Sequence, residues 1–134
     1  MLETPIVIIA WKRADKTHEL INSIRKVSPK KVYLACDGAI KGDNENKIKV
    51  KQTRDILNNE INWDCEVKRL YSKNHNGCKD GVSKAIDWFF LNEEEGIILE
   101  DDCIPHIDFF YFCSEMLKKY KNDVRIWCIS AHNN

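Results

Sequence analysis

Three consecutive carboxylates, Glu100, Asp101 and Asp102, follow the apolar run Ile97, Ile98, Leu99 in the stretch "EGIILEDDCIPHIDFFYF". Neighbouring carboxylates repel, so the arrangement is comfortable only where solvent, a cation or hydrogen-bond donors absorb the charge. A hard divalent cation, Mg²⁺ or Mn²⁺, takes oxygen ligands, keeps several waters and commonly binds one or two carboxylates together with substrate phosphates. A diphosphate would complete such a shell. The bland alternative is a solvated turn in which Asp101 or Asp102 caps the helix that follows. If extended backbone persists past Leu99, alternation sends Glu100 and Asp102 to one side and Asp101 to the other.

Three further places carry usable chemistry, each with a plain structural alternative. Lys12 and Arg13 close the first apolar run and offer charge to a phosphate or a base, or simply to solvent. Asp37 with Gly38 closes the second, where a carboxylate accepts from a uracil N–H or a ribose hydroxyl, or forms a turn. Asn76, Gly77 and Lys79 follow the third, where glycine admits close backbone approach and lysine neutralises phosphate, or where the three start a helix. All four places come directly after strand-like runs. Arg13 and Asp37, read as exposed rim charges, are expected to contribute little to folding.

The elements that would position these groups alternate along the chain. Strands are expected at "TPIVIIAW", "KKVYLACDG", "CEVKRLYS", "GIILE" and "RIWCIS", the fourth of them buried. Between them, "DKTHELINSIRKV" reads as a helix with Asp15 at its N-cap and Leu20, Ile21, Ile24 and Val27 on one face. A weaker helix spans residues 47–59, with apolar positions Ile48, Val50, Ile56 and Leu57. Val82, Ala85, Ile86, Phe89 and Phe90 recur at three and four, and Phe109, Phe110, Cys113, Met116, Leu117 and Tyr120 do the same. Strand and helix in alternation with short connections predict an α/β fold, a doubly wound, mostly parallel sheet. Ligands bind such sheets beyond the carboxyl ends of the strands, where the candidate residues fall.

The 134 residues make one domain, and Lys plus Arg balance Asp plus Glu at 21 each, which gives no reason to expect nucleic acid as a partner. The longest apolar runs are too short for a transmembrane segment and "MLETPIVIIAWKR" lacks a signal-peptide pattern, so a cytoplasmic location is expected. Six cysteines without CxxC or Cys/His spacing read as buried free thiols. A receiver-like signalling domain would want acids where Trp11, Lys12 and Arg13 stand, and no GxGxxG follows any strand, which disfavours a dinucleotide oxidoreductase.

"PIVIIAWKRADKTHELINSI", "VYLACDG", "NHNGCKDGVSKAIDWFF" running into "IILEDDCIPHIDFFYFCSEML", and "WCISAHNN" together resemble the Rossmann-like nucleotide-binding half of GT-A glycosyltransferases. The likeness is to nucleotide-diphospho-sugar transferases, including hemolytic-protein-like bacterial and archaeal members and the N-acetylglucosaminyltransferase that starts complex N-glycan branching. The resemblance implies a UDP-sugar donor with Mn²⁺ or Mg²⁺ and transfer to a glycan or other hydroxyl acceptor with inversion. It implies Asp102 as the metal ligand, with Glu100 and Asp101 on the sugar nucleotide. It also implies Arg13 and Asp37 at the nucleotide, and Lys79 beside the uridine where the relative has a histidine. The family's acceptor half and general base would lie beyond Asn134. Residues 1–134 are therefore expected to be a single donor-binding domain, truncated relative to the complete transferase, that binds donor with little transfer; a non-catalytic binding module is the alternative.

Overall fold

Runs of β-branched and aliphatic residues become the strands, and the polar, Gly- and Asn-bearing segments between them turn the chain. The computed structural model describes residues 1–123. Its elements are β1 (Ile6–Ala10), α1 (Ala14–Arg25), β2 (Lys31–Cys36), α2 (Asn44–Asn59), β3 (Glu66–Tyr71), α3 (Cys78–Asn92), β4 (Ile97–Glu100) and α4 (Ile107–Lys119). The strands form an all-parallel sheet in the order β3-β2-β1-β4, with Ile6 opposite Val32 and Ile97, and Val32 opposite Val67. The fold is thus α/β, compatible with a Rossmann-like architecture. The expected fifth strand "RIWCIS" and Cys128 lie outside the described residues.

Side-chain alternation along the strands divides the interior in two. Ile6, Ile8 and Ala10 of β1 join Val32, Leu34, Cys36, Ile97 and Leu99 in a large cluster. α1 feeds it Leu20, Ile21 and Ile24, α2 feeds it Val50 and Leu57, and α4 feeds it Phe110 and Cys113. Val7 and Tyr33 pack instead with Phe89 of α3. Tyr33 meets Phe89 edge-on at 4.9 Å, and its hydroxyl donates to Glu93 at 2.6 Å.

Several expectations shift in detail. α1 starts one residue before Asp15 and has Arg13 at its N-cap position, so Asp15 sits in the first turn, where a negative charge suits the helix dipole. α2 begins at Asn44 because Asp43 accepts from the Asn46 N–H at 3.0 Å, a side-chain cap that shortens the preceding loop. Its buried face includes Asn46 and Thr53, while Ile48 is exposed. β4 alternates between buried and exposed residues and leaves Ile98 exposed, so it is a half-buried strand. Phe90 of α3 is likewise exposed. The five described cysteines are free, but only Cys36 and Cys113 are buried.

Gly96 precedes β4 where a side chain has no room: an added Cβ would run into the Phe89 ring and approach the Pro5 carbonyl at 3.0 Å. Phe89 is fully buried and hemmed by Tyr33, so it cannot swing aside. Gly96→Ala should therefore destabilise the protein by about 1–3 kcal/mol, as overpacking does, read as a lower urea midpoint with an unchanged slope.

Candidate functional site

All four strands run the same way, so their carboxyl ends meet at one edge of the sheet, and β4 joins beside β1 rather than β3. A cavity of about 150 Å³ lies at that edge. Arg13 after β1, Asp37 after β2, and Glu100, Asp101 and Asp102 at the end of β4 all line it. Lys79 does not; it borders a more open depression beside the cavity, which shares Cys78, Val82 and Glu100 with it. Five of the six residues to which the resemblance gives roles are thereby brought together.

The triplet divides as strand geometry demands. The ladder runs one residue past β4, with the Asp101 N–H donating to the Ile9 carbonyl at 3.2 Å. Glu100 and Asp102 are exposed, whereas Asp101 is buried. Its carboxylate takes a hydrogen bond from the Trp11 backbone N–H and lies 3.9 Å from Arg13 Nε. Burial pushes the Asp101 carboxyl above its ordinary value, Arg13 opposes the rise, and Asp102 and Glu100 add to it. Capping does not explain the triplet, because the N-cap of α4 is His106, whose Nδ1 accepts from the Asp108 N–H at 3.2 Å.

Asp37 is not the exposed rim charge expected of it. Its Oδ1 accepts from the N–H groups of Gly38 at 2.8 Å and Asn76 at 2.9 Å, and its Oδ2 from the Gly77 N–H at 3.0 Å. His75 Nδ1 lies 3.0 Å from the same Oδ2, and the Asp37 side chain is 11% exposed. Gly77, with φ of +89°, turns the chain into α3, and Gly38 leaves no space for a Cβ against the Asn74 backbone. Trp11 Nε1 donates to the Gly38 carbonyl at 3.0 Å, and the Trp11 and His75 rings stack at 4.8 Å.

The sequence reading passed over His75 and Arg54. His75 sits within "NHNG", legible only as a polar turn, and Arg54 is one cation among many on α2. Arg54 donates to the carbonyls of Asp37 at 3.1 Å and Ser72 at 2.7 Å and so joins the ends of β2 and β3. The composition of α2 carries no signal of that task.

A hard divalent cation fits Glu100 and Asp102 in donor type and exposure, since both present carboxylates to solvent at the cavity rim. Among the described residues no group of three or more His, Cys, Asp or Glu side chains is placed to hold a metal. A cation bound there would take its remaining ligands from water or from a ligand's phosphates, as Mg²⁺ usually does. Cys103 donates from Sγ to Asp102 at 3.6 Å, and burial and the neighbouring acids push its thiol up. No helix among the described residues is long and apolar enough to cross a membrane. Comparison with protein-family models, curated proteins and solved structures finds no match.

Two outcomes follow from this geometry. Asp37→Ala strands the partly buried donors of Asn76 and Gly77 and should cost about 1–3 kcal/mol of stability, seen in chemical denaturation; an unchanged midpoint would return Asp37 to the role of a free rim charge. Asp101 contributes to pH dependence with the opposite sign from most carboxylates. Its folded value is raised, so its contribution is fully present below the unfolded value near 3.8 and is lost as pH rises through the folded value. The stability of Asp101→Asn relative to the natural chain should therefore climb from pH 3.5 towards neutrality, and a flat difference would rule out the raised value.

Proposed function

We propose that this edge of the sheet binds a nucleotide-diphosphate sugar, a UDP-sugar by the resemblance in sequence, together with Mg²⁺ or Mn²⁺. The fold would be the doubly wound donor-binding half of a GT-A glycosyltransferase. In the complete enzyme the sugar would pass to a hydroxyl acceptor. The observation that carries this reading is the meeting of Arg13 with Glu100, Asp101 and Asp102 around one cavity at the strand carboxyl ends. In open α/β sheets ligands bind in that place, where strand order reverses.

Each residue has a definable part in this reading. Asp102, with Glu100 beside it, would hold the cation through carboxylate oxygen. When bound, that cation would offset the negative charge of the diphosphate and of its departure. Arg13 is only loosely engaged by Asp101, and its side chain is 54% exposed, so its guanidinium is free to turn to a phosphate. Asp101, buried behind Arg13, biases it towards the cavity without holding it. Asp37 acts on the nucleotide by shaping the loop before α3. The cavity falls below the roughly 300–1,000 Å³ of ordinary ligand pockets. A nucleotide-diphosphate sugar would therefore extend from it across the depression bordered by Lys79.

The cavity also favours a second reading, a module that binds donor without transferring it. Asp37 is occupied by backbone donors, Asp101 is buried against Arg13, and Glu100 and Asp102 are assigned to the cation. None of these four lining carboxylates is left to serve as the base for an acceptor hydroxyl.

Thermal unfolding tests the reading. Ligand at a hundredfold excess over Kd stabilises the native state by roughly 2.7 kcal/mol, which for a domain of this size is a rise of roughly 8 °C in melting temperature. UDP with Mn²⁺ should produce such a rise and UDP with a chelator much less. Asp102→Asn should abolish the metal-dependent part while leaving the unliganded melting temperature nearly unchanged. The full Mn²⁺-dependent shift in the variant would remove Asp102 as the ligand.

A further inference from the structure

Two lysines that the proposed site leaves unassigned bear on what its cavity suits. Lys12 and Lys84 line it together with Arg13, and among the described residues neither lysine has an ion pair. The Lys12 ammonium lies 4.7 Å over the Trp11 ring, and that of Lys84 donates to the Asn76 side-chain oxygen at 3.0 Å. Cations without an anion of their own are matched by one on a ligand, so the cavity suits the phosphate-bearing part. The depression beside it, of about 440 Å³, is of another kind. On its α3 side Lys79, Ser83 and Asp87 stand four apart and make a polar row, and Val82 and Ile86, also four apart, make an apolar row next to it. Among the described residues the side chains of Lys79, Ser83 and Asp87 have no hydrogen bond or ion pair.

Glu100 belongs to both spaces. With the cation held by Glu100 and Asp102, the diphosphate it bridges lies on the border, and whatever the far phosphate carries enters the depression. The cavity of about 150 Å³ is too small for a whole nucleotide-diphosphate sugar. The depression brings the space into the roughly 300–1,000 Å³ of ordinary ligand pockets. A pyranose ring has C–H groups on its faces and hydroxyls round its rim, the same pairing of apolar and polar that the two rows offer. Four residues of helix rise about 6 Å, so Ser83 and Asp87 are spaced to meet hydroxyls on opposite sides of one ring. We propose that the depression is a sugar subsite, in which Ser83 and Asp87 bind hydroxyls of a neutral hexopyranose laid with a C–H face on Val82 and Ile86. Lys79, one turn nearer the cavity, then meets the linkage to the phosphate rather than the uridine. This assignment rests on the nucleotide-diphosphate reading of the site, and its test separates the two.

Asp87→Ala is the informative variant, because Asp87 is exposed and alanine is the best helix former, so α3 is kept. Titrated calorimetrically with Mn²⁺ present, it should bind UDP as the natural chain does. UDP-glucose, UDP-galactose and UDP-N-acetylglucosamine bring different rims to the subsite, and at least one should bind the variant about tenfold more weakly, a loss of roughly 1.4 kcal/mol. Asp87→Asn, which keeps an acceptor oxygen, should recover part of that loss, and Ser83→Ala should weaken the same sugar nucleotide while sparing UDP. The Ile86 methyl resonances of the natural chain give the answer without any variant: they should move with that sugar nucleotide and stay in place with UDP. Equal affinity of Asp87→Ala and the natural chain for all three sugar nucleotides, or Ile86 resonances indifferent to them, overturns the subsite while the nucleotide site stands. Weakening of UDP itself in Asp87→Ala puts the nucleotide in the depression and overturns the subsite as well. No binding of UDP with Mn²⁺ by the natural chain overturns both.

Discussion

The carboxyl end of the sheet depends on the Asp37 carboxylate. At a strand's carboxyl end the ladder stops, and backbone N–H and C=O groups lose partners that a half-buried site cannot replace with water. Asp37 answers the donors, taking the N–H groups of Gly38, Asn76 and Gly77. Arg54 answers the acceptors, donating to the carbonyls of Asp37 and Ser72. An anion from the loop after β2 and a cation from α2 thus close the same gap from two sides. With both in place the loop from Tyr71 to Cys78 is held against Gly38, and everything that loop carries, His75 included, has a fixed address.

The acidic triplet works under the opposite condition. Hydrogen bonds satisfy Asp37, but Asp101 sits in a place that burial makes unfavourable for its charge, and only Arg13 and the Trp11 N–H offset that. Glu100 and Asp102, exposed on the other side of the backbone, add to the negative field. The buried member therefore anchors the first strand's exit to the fourth, while the two exposed members hold charge that their neighbours leave unneutralised. Alternation along a strand is enough to create this split; a helical triplet would have spread the three carboxylates round an axis instead.

Much of the fold was legible because burial writes itself as periodicity. Leu20, Ile21, Ile24 and Val27 all lie in the core, as their spacing required. The split of Glu100, Asp101 and Asp102 followed from alternation alone. What escaped was set by partners distant in sequence. No local pattern shows that Asp37 meets Asn76, or that Arg54 meets Ser72, since each pairing exists only after β2 and β3 lie side by side. Ile98 and Phe90 read as core because apolar runs do not say which face is covered. His75 stayed hidden for a related reason: a histidine in a polar turn looks like solvent until Asp37 and Trp11 close around it.

Rigidity and charge are thus segregated within one small cavity. At the β2–β3 end Asp37 and Arg54 answer backbone donors and acceptors, and the rings of Trp11 and His75 are stacked. At the β1–β4 end the carboxylates and Arg13 are incompletely matched, with Arg13 and Asp101 at 3.9 Å, and what remains open is charge. A ligand that satisfied only the first end would leave the acidic field standing, and one that satisfied only the second would leave the ordered aromatic pocket without a purpose. A molecule with a donor-bearing ring at one end and cation-bridged phosphates at the other satisfies both. That contrast along the cavity, more than any single residue, is what supports the proposed reading of the site as one for a nucleoside diphosphate.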